Sequence, residues 1–253
     1  MKPPHWHSSG GDATPPGWDW LGPLERRRAQ TMRFAKRRDE FLMARWAAKT
    51  AVAGSLADGT RPDEVEIRHA ADGAPHAYVR DEPWDRRLSL TDRADWAVCL
   101  VSPSQVEVGC DLELVEARSE GFVRDWLTPA EQDLVSGASG PEEHALRANL
   151  VWSAKESALK VLRTGLRRST HSVEVTLDPA SAADADGWRP LSVRDRDGGA
   201  DFPGWWCRHG DFLLTTCAQE PMPAPVALVA PPPLAGAVPT HRWMAEPLGG
   251  PRP

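Results

Sequence analysis

The chain has 253 residues, of which 41% are hydrophobic and 26% charged, with a formal net charge of −6 at pH 7. That suits one large globular domain or two small ones sharing a core, and it excludes a bulk binder of nucleic acid or acidic membrane while leaving room for a local basic patch. No apolar run approaches the roughly 20 residues of a membrane helix, the opening MKPPHWHSSGGDATPPG lacks the apolar centre of a signal peptide, and Cys99, Cys110, Cys207 and Cys217 form no C-x-x-C pair. Buried reduced thiols in the cytoplasm are the expectation, with neither a nucleic-acid nor a membrane partner.

Residues 1–23, rich in Gly, Pro and Trp, read as an irregular leader. Leu24 to Ala53 carries an uninterrupted helical pattern with Phe34, Phe41, Leu42 and Trp46 apolar. Short strands are expected at 63–69 and 76–80 around the DGAP turn, a hairpin from RLSL (87–90) and WAVCLV (96–101), and a further strand at 107–115. FVRDWL (122–127) begins a helix. TPAEQDLVS starts another, with Thr128 as N-cap, Pro129 at the first position and Glu131 at the third. Glu142 to Arg163 is a long helix that Gly165 should end. A strand at 172–177, a turn-rich loop at 178–187 and strands near 188–194 and 205–217 close the pattern. From Ala218 the chain is Pro-rich, a tail or wrapping arm. The expected organisation is a leader (1–23), an N-terminal α+β half (24–105), a C-terminal α+β half with the site (106–217) and a tail (218–253). No short-period repeat is visible. Trp205 and Trp206 are expected in the core, and Trp6, Trp18, Trp20 and Trp243 as anchors for the two ends.

Three local features bear on chemistry. On the strand at 107–115, alternation puts Val108, Cys110, Leu112 and Leu114 on one face and Glu107, Gly109, Asp111 and Glu113 on the other. Two carboxylates sharing a face repel, and call for a cation or basic partner unless that face is simply solvated. In VWSAKESALK (151–160), Trp152, Glu156 and Lys160 fall on one helical stripe; alone, Glu156 and Lys160 would make an ordinary surface pair worth about 0.2–0.5 kcal/mol. Finally, Leu24 to Lys49 holds nine basic residues against three acidic ones inside an acidic chain, which favours an anion site over a merely solvated helix face.

The order FLMAR (41–45), GAP (73–75), a hairpin, VGCDLE (108–113) and WSAKESALKVLRTGL (152–166) resembles the Sfp-type 4′-phosphopantetheinyl transferases, over about Arg33 to Thr216. The resemblance implies an α+β fold, a pseudo-twofold pair of α+β halves, with coenzyme A and Mg²⁺ held between them. It implies Asp111, Glu113 and Glu156 as metal ligands, all hard oxygens suited to Mg²⁺. It further implies Glu156 as the base for a serine hydroxyl of an acyl or peptidyl carrier protein, and Lys160 as the group stabilising the leaving 3′,5′-ADP. Arg45 would bind a nucleotide phosphate, and Gly73, Pro75, Thr91 and Asp92 would lie along coenzyme A. Thr91-Asp92 stands where the family usually has Ser-His, and Ala74 where Lys is common, so an anion replaces a donor beside the expected phosphate. Besides a working transferase, a repurposed member of the fold with another ligand or reaction therefore stays open, as does a carrier-binding module without catalysis.

Overall fold

The computed structural model describes residues 2–56, 58–177 and 181–240; Trp243, the end of the tail and the start of the 178–187 loop lie outside them. In chain order the elements are β1 (His5–Gly10), α1 (Pro23–Thr31), α2 (Ala35–Gly54), β2 (Val65–His69), β3 (Pro75–Val79), β4 (Glu82–Pro83), β5 (Leu88–Arg93), β6 (Trp96–Val101) and β7 (Val108–Leu114). These are followed by α3 (Glu120–Trp126), α4 (Pro129–Ser136), α5 (Pro141–Val161), β8 (Val173–Leu177), β9 (Arg189–Asp195), β10 (Asp201–His209), β11 (Phe212–Ala218) and β12 (Val226–Ala227). One sheet runs β12-β1-β6-β5, a second β7-β11-β10-β9-β8, and a small third β2-β3-β4.

Strand alternation sorts the apolar side chains into layers. Val98 and Leu100 of β6 face Phe212 and Leu214 of β11, with Val108, Cys110, Leu112 and Leu114 in the same buried cluster between the two large sheets. The opposite faces take the helices. Cys99 and Val101 meet Ala48, Ala51 and Val52 of α2, and Leu213 and Cys217 meet Val151, Ala154 and Ala158 of α5. The small side chains on both helices allow this close helix-on-sheet packing. The result is helix, sheet, sheet, helix: an α+β fold of two halves. Trp205 and Trp206 are only partly buried against it.

The halves repeat one another in detail. Glu131 closes the capping box of α4 through Thr128 N (2.7 Å), takes Lys155 Nζ (2.6 Å), and with its other oxygen accepts from Val175 N (2.8 Å). In the first half Glu25 accepts from Gly22 N (2.9 Å), takes Lys49 Nζ (2.7 Å), and accepts from Ile67 N (2.9 Å). Lys155 also donates to the carbonyls of Thr170 and Val173, and Lys49 to those of Trp20 and Val65. All four ionised side chains are buried. Trp46-x-x-Lys49 and Trp152-x-x-Lys155 are thus the same turn of equivalent helices. At the same spacing Thr50 stands where the second half has Glu156, and Gly54 where it has Lys160. Two halves, but acidic chemistry in only one.

Several sequence expectations are corrected. The supposed irregular leader supplies β1, antiparallel to β6, with Trp6 buried in the core between the sheets; it is the first-half counterpart of β7. The single helix over 24–53 is two, because Met32 and Phe34 are extended. Folding α1 back is what brings Glu25 beside Lys49, a pairing no local signal announces. The strand expected across 205–217 is the β10–β11 hairpin, turned at Gly210 with φ +59°. Within the described part of the expected tail, residues 218–240, the chain is partly core: β12 pairs in parallel with β1, and Leu234 is fully buried.

Candidate active site

β7 carries the chemistry because three neighbours hold it rigidly. On its inner edge it pairs with β11. On its face towards α5, Gly109 lies so close to the helix that a Cβ would stand 1.9 Å from the Ser157 carbonyl oxygen. On its outer edge no backbone ladder runs among the described residues. Instead, the hydroxyls of Ser89 and Thr91 in β5 accept from Cys110 N (3.0 Å) and Leu112 N (3.1 Å). These contacts join the two sheets at the site. Gly109→Ala is therefore expected to cost roughly 1–3 kcal/mol of stability through overpacking, read as a lower midpoint of denaturant unfolding. It should also disable the site, because helix and strand must separate.

The face expected to hold Asp111 and Glu113 does so, and it is not solvated: both side chains are buried. Asp111 Oδ1 accepts from Lys160 Nζ (2.9 Å) and Thr91 Oγ1 (3.2 Å). Lys160 also donates to the Cys110 carbonyl (2.8 Å). Burial opposes the Lys160 charge, but Asp111, Cys110 and Glu156 outweigh it and its pKa rises. Glu113 accepts from Trp152 Nε1 (3.0 Å) and Arg118 Nη2 (3.0 Å), and pairs with Arg93 (3.2 Å). Burial and then Asp111 still hold its pKa above the usual carboxylate range. Glu156 reaches the same electrostatic neighbourhood from α5. Burial first, then the Asp111 charge, push its pKa up to about 7, with Lys160 opposing.

Among the described residues, no three His, Cys, Asp or Glu side chains stand in a metal-holding group. The three-carboxylate ligand set expected from the sequence is thus not assembled here, since Glu113 is taken up by two arginines and a tryptophan. Converging carboxylates repel, and the protein's own cations neutralise them. What remains fits a cation at two of the three: Asp111 Oδ2 and Glu156 Oε1 are buried carboxylate oxygens with no hydrogen-bond partner, and such atoms call for a positive ligand.

Two cavities border the other expected residues. The larger, about 740 Å³, is lined by Arg45 and Asp92 together with Arg28, Arg37 and Glu40. The smaller, about 280 Å³, is lined by Gly73, Pro75 and Lys160 together with Arg87 and Arg163. His69 and Leu90 line both. The smaller one is clasped across the halves, since Arg163 pairs with Asp72 (3.3 Å) and Glu107 (2.7 Å), and Arg87 with Glu107 (2.8 Å). Thr91 departs from its expected place. It lines neither cavity and is instead a buried support for Asp111. Asp92 is open to the larger cavity and makes no hydrogen bond or ion pair among the described residues. The protein around it, and then Glu40, raise its pKa to about 6.

Sequence reasoning missed Ser89, Arg93, Arg118 and His69. Ser89 and His69 lie in strands the sequence announces, but nothing local marks any of the four as part of a site; each reaches it only through tertiary pairing.

Residues 107–217 match the 4′-phosphopantetheinyl transferase superfamily. A Thraustochytrium sp. protein named phosphopantetheinyl transferase is 31% identical over 189 residues, 70% of this chain; the chain spans 62% of that relative's length. A crystal structure of Thermotoga maritima holo-[acyl-carrier-protein] synthase is 22% identical, covering 50% of this chain and 74% of its own at a TM-score of 0.32. Residues 107–217, which hold both the Asp111-x-Glu113 strand and the Lys155-Glu156 helix, are the part of the chain that is similar to the 4′-phosphopantetheinyl transferase superfamily.

Proposed function

We propose that the protein moves the 4′-phosphopantetheine arm of coenzyme A onto a serine of an acyl or peptidyl carrier protein. The observation that carries this reading is the meeting of Asp111, Glu156 and Lys160, with two bare carboxylate oxygens, beside cavities rich in arginine. The serine oxygen bonds to the β-phosphorus of coenzyme A, the bond from that phosphorus to the bridging oxygen breaks, and 3′,5′-ADP leaves. Glu156, whose buried Oε1 has no hydrogen-bond partner among the described residues, takes the serine proton, directly or through water. Lys160, whose raised pKa keeps it charged, faces the smaller cavity and stabilises the departing phosphate. Mg²⁺ would be held by Asp111 and Glu156, with Glu113 joining on release from its arginines, and supplies positive charge to the diphosphate. Four buried free thiols suit a cytoplasmic setting, and among the described residues no helix is long and apolar enough to cross a membrane.

The test is to incubate the protein with coenzyme A, Mg²⁺ and a panel of apo carrier proteins, then weigh the carriers. A mass gain equal to phosphopantetheine on one of them is expected. Failure of coenzyme A to bind at all would overturn the reading. Calorimetry with Mg²⁺ alone checks the ion independently: heat of binding that is lost in Asp111→Asn is expected.

Asp92 adds a pH dependence. Above about pH 6 its carboxylate is charged, facing the cavity beside Glu40, and it repels an incoming phosphate. The KM for coenzyme A in the wild type should rise as pH increases through about 6. In Asp92→Asn the KM should be several-fold lower at pH 7.5 and lack that rise. Steady-state kinetics between pH 5.5 and 8 measure both.

A further inference from the structure

The wall shared by the two cavities is built from Leu90 and the imidazole of His69. His69 ends β2, and its Nδ1 lies 2.8 Å from the Gly73 carbonyl in the turn that leads into β3. A carbonyl only accepts, so Nδ1 carries the proton and Nε2 presents a lone pair. Nε2 meets Arg45 Nη2, which can only donate. One neutral ring therefore satisfies a donor on α2 and an acceptor in the turn at once. Arg45 has few other holds: its guanidinium lies over Phe41 at 4.4 Å, and its Nε is 3.7 Å from Glu25, a carboxylate already committed to Lys49 and two backbone amides. Arg45 borders the larger cavity and Gly73 the smaller, while His69 borders both.

We propose that His69 is a positioning residue, whose neutral ring sets the Arg45 guanidinium on one side and the Gly73 turn on the other so that a single nucleotide-bearing anion spans both cavities. The inference rests on the reading of the cleft as a coenzyme A site, and it assigns a role to a side chain outside every motif of the sequence. Protonation would undo it, because a second N–H would then point at a guanidinium. The charged groups around the ring are Arg45 on α2, Arg28 and Glu25 on α1, Asp92 on β5, and Asp72 in the turn. Burial, and then Arg45, hold the imidazole pKa below its ordinary value, so the ring is neutral at pH 7.

Two measurements test this. The first is ¹⁵N NMR of the histidine rings across pH in the free protein, with His69→Gln used to assign the resonance. The Nδ1–H tautomer, titrating below the ordinary histidine value, is expected; an Nε2–H tautomer or an ordinary titration would overturn the proposal whatever the protein's reaction. The second is binding and turnover with coenzyme A, with 3′,5′-ADP as a binding probe. His69→Ala should weaken binding of both about tenfold or more, the scale of a hydrogen bond to a charged group, and leave kcat within about twofold. His69→Gln, whose amide oxygen can accept from Arg45, should recover most of the loss and remove the weakening the wild type shows as the ring protonates. Unchanged binding in His69→Ala, or a loss confined to kcat, would sink the proposal. A correct tautomer with no binding of either nucleotide would instead sink the coenzyme A reading, and with it the role assigned to His69.

Discussion

Glu156→Gln is expected to reduce phosphopantetheine transfer by about 10²–10⁴-fold, the range for loss of a positioned general base. The amide keeps the shape of the side chain but can neither take a proton nor carry the negative charge that a cation needs. Lys160→Met should be similarly damaging, by about 10²–10³-fold, because it removes a fixed positive group from a partly enclosed site and leaves Asp111 without its 2.9 Å partner. The two variants differ in their stability profiles. In the metal-free wild type the Glu156 pKa is raised from 4.5 to about 7, so the folded state disfavours its ionised form. The stability tied to this group is fully present below about pH 4.5 and lost as pH rises through about 7. Glu156→Gln should shrink the fall seen between pH 4.5 and 8 in chelator, leaving only the part owed to Asp92 and Glu113, whose pKa values are also raised, and the thermal midpoint measures this. A fall of the same size in the variant and the wild type would mean that Glu156 does not carry it.

Lys155→Met is expected to cost about 3–5 kcal/mol, the cost of leaving one member of a buried ion pair without its partner. Against a total stability of about 5–15 kcal/mol, this lowers the melting temperature by on the order of 10 °C. Lys155 and Glu131 are 0% and 1% exposed and 2.6 Å apart. Glu131 keeps its bonds to Thr128 N and Val175 N but loses its countercharge. Glu131→Gln alone should be damaging as well, while the double variant Lys155→Met with Glu131→Gln should recover part of the loss, which a double-mutant cycle in denaturant measures. The first-half pair, Lys49 with Glu25, is equally buried at 2.7 Å and should respond alike. Lys155 adjoins Glu156 in sequence but points about 100° round the helix, to Glu131 and the carbonyls of Thr170 and Val173, so its loss should act on folding before it acts on chemistry. Residual activity per folded molecule in Lys155→Met should therefore stay well above that of Glu156→Gln.

Much of the chain was readable from short-range pattern. Alternation along VGCDLEL correctly split β7 into a core face and an acidic face. Thr128, Pro129 and Glu131 announced α4 by capping alone. The same reading lost β1, because six residues with two histidines and two serines look like a leader until β6 and β12 are beside them. It joined α1 to α2, because nothing between Thr31 and Ala35 is a glycine or proline. The repeat of Glu25, Trp46 and Lys49 in Glu131, Trp152 and Lys155 was present as letters, but scattered letters gain meaning only once each lysine is seen against its carboxylate.

What the residue order determined by itself is the set of elements with strong local periodicity and the presence of Asp111, Glu113, Glu156 and Lys160 on faces where they can meet. Periodicity and caps act within a few residues, so they survive without a fold. Tertiary structure decided which charge neutralises which: Lys160 on Asp111, Arg93 and Arg118 on Glu113, and, among the described residues, no hydrogen-bond partner for one oxygen of Glu156. It also turned Thr91 from a ligand contact into a strut under Asp111, and set His69 between Arg45 and Gly73. Ion pairs and hydrogen bonds depend on distances of a few ångströms between segments far apart in the chain, and only the packing of the two halves sets those distances.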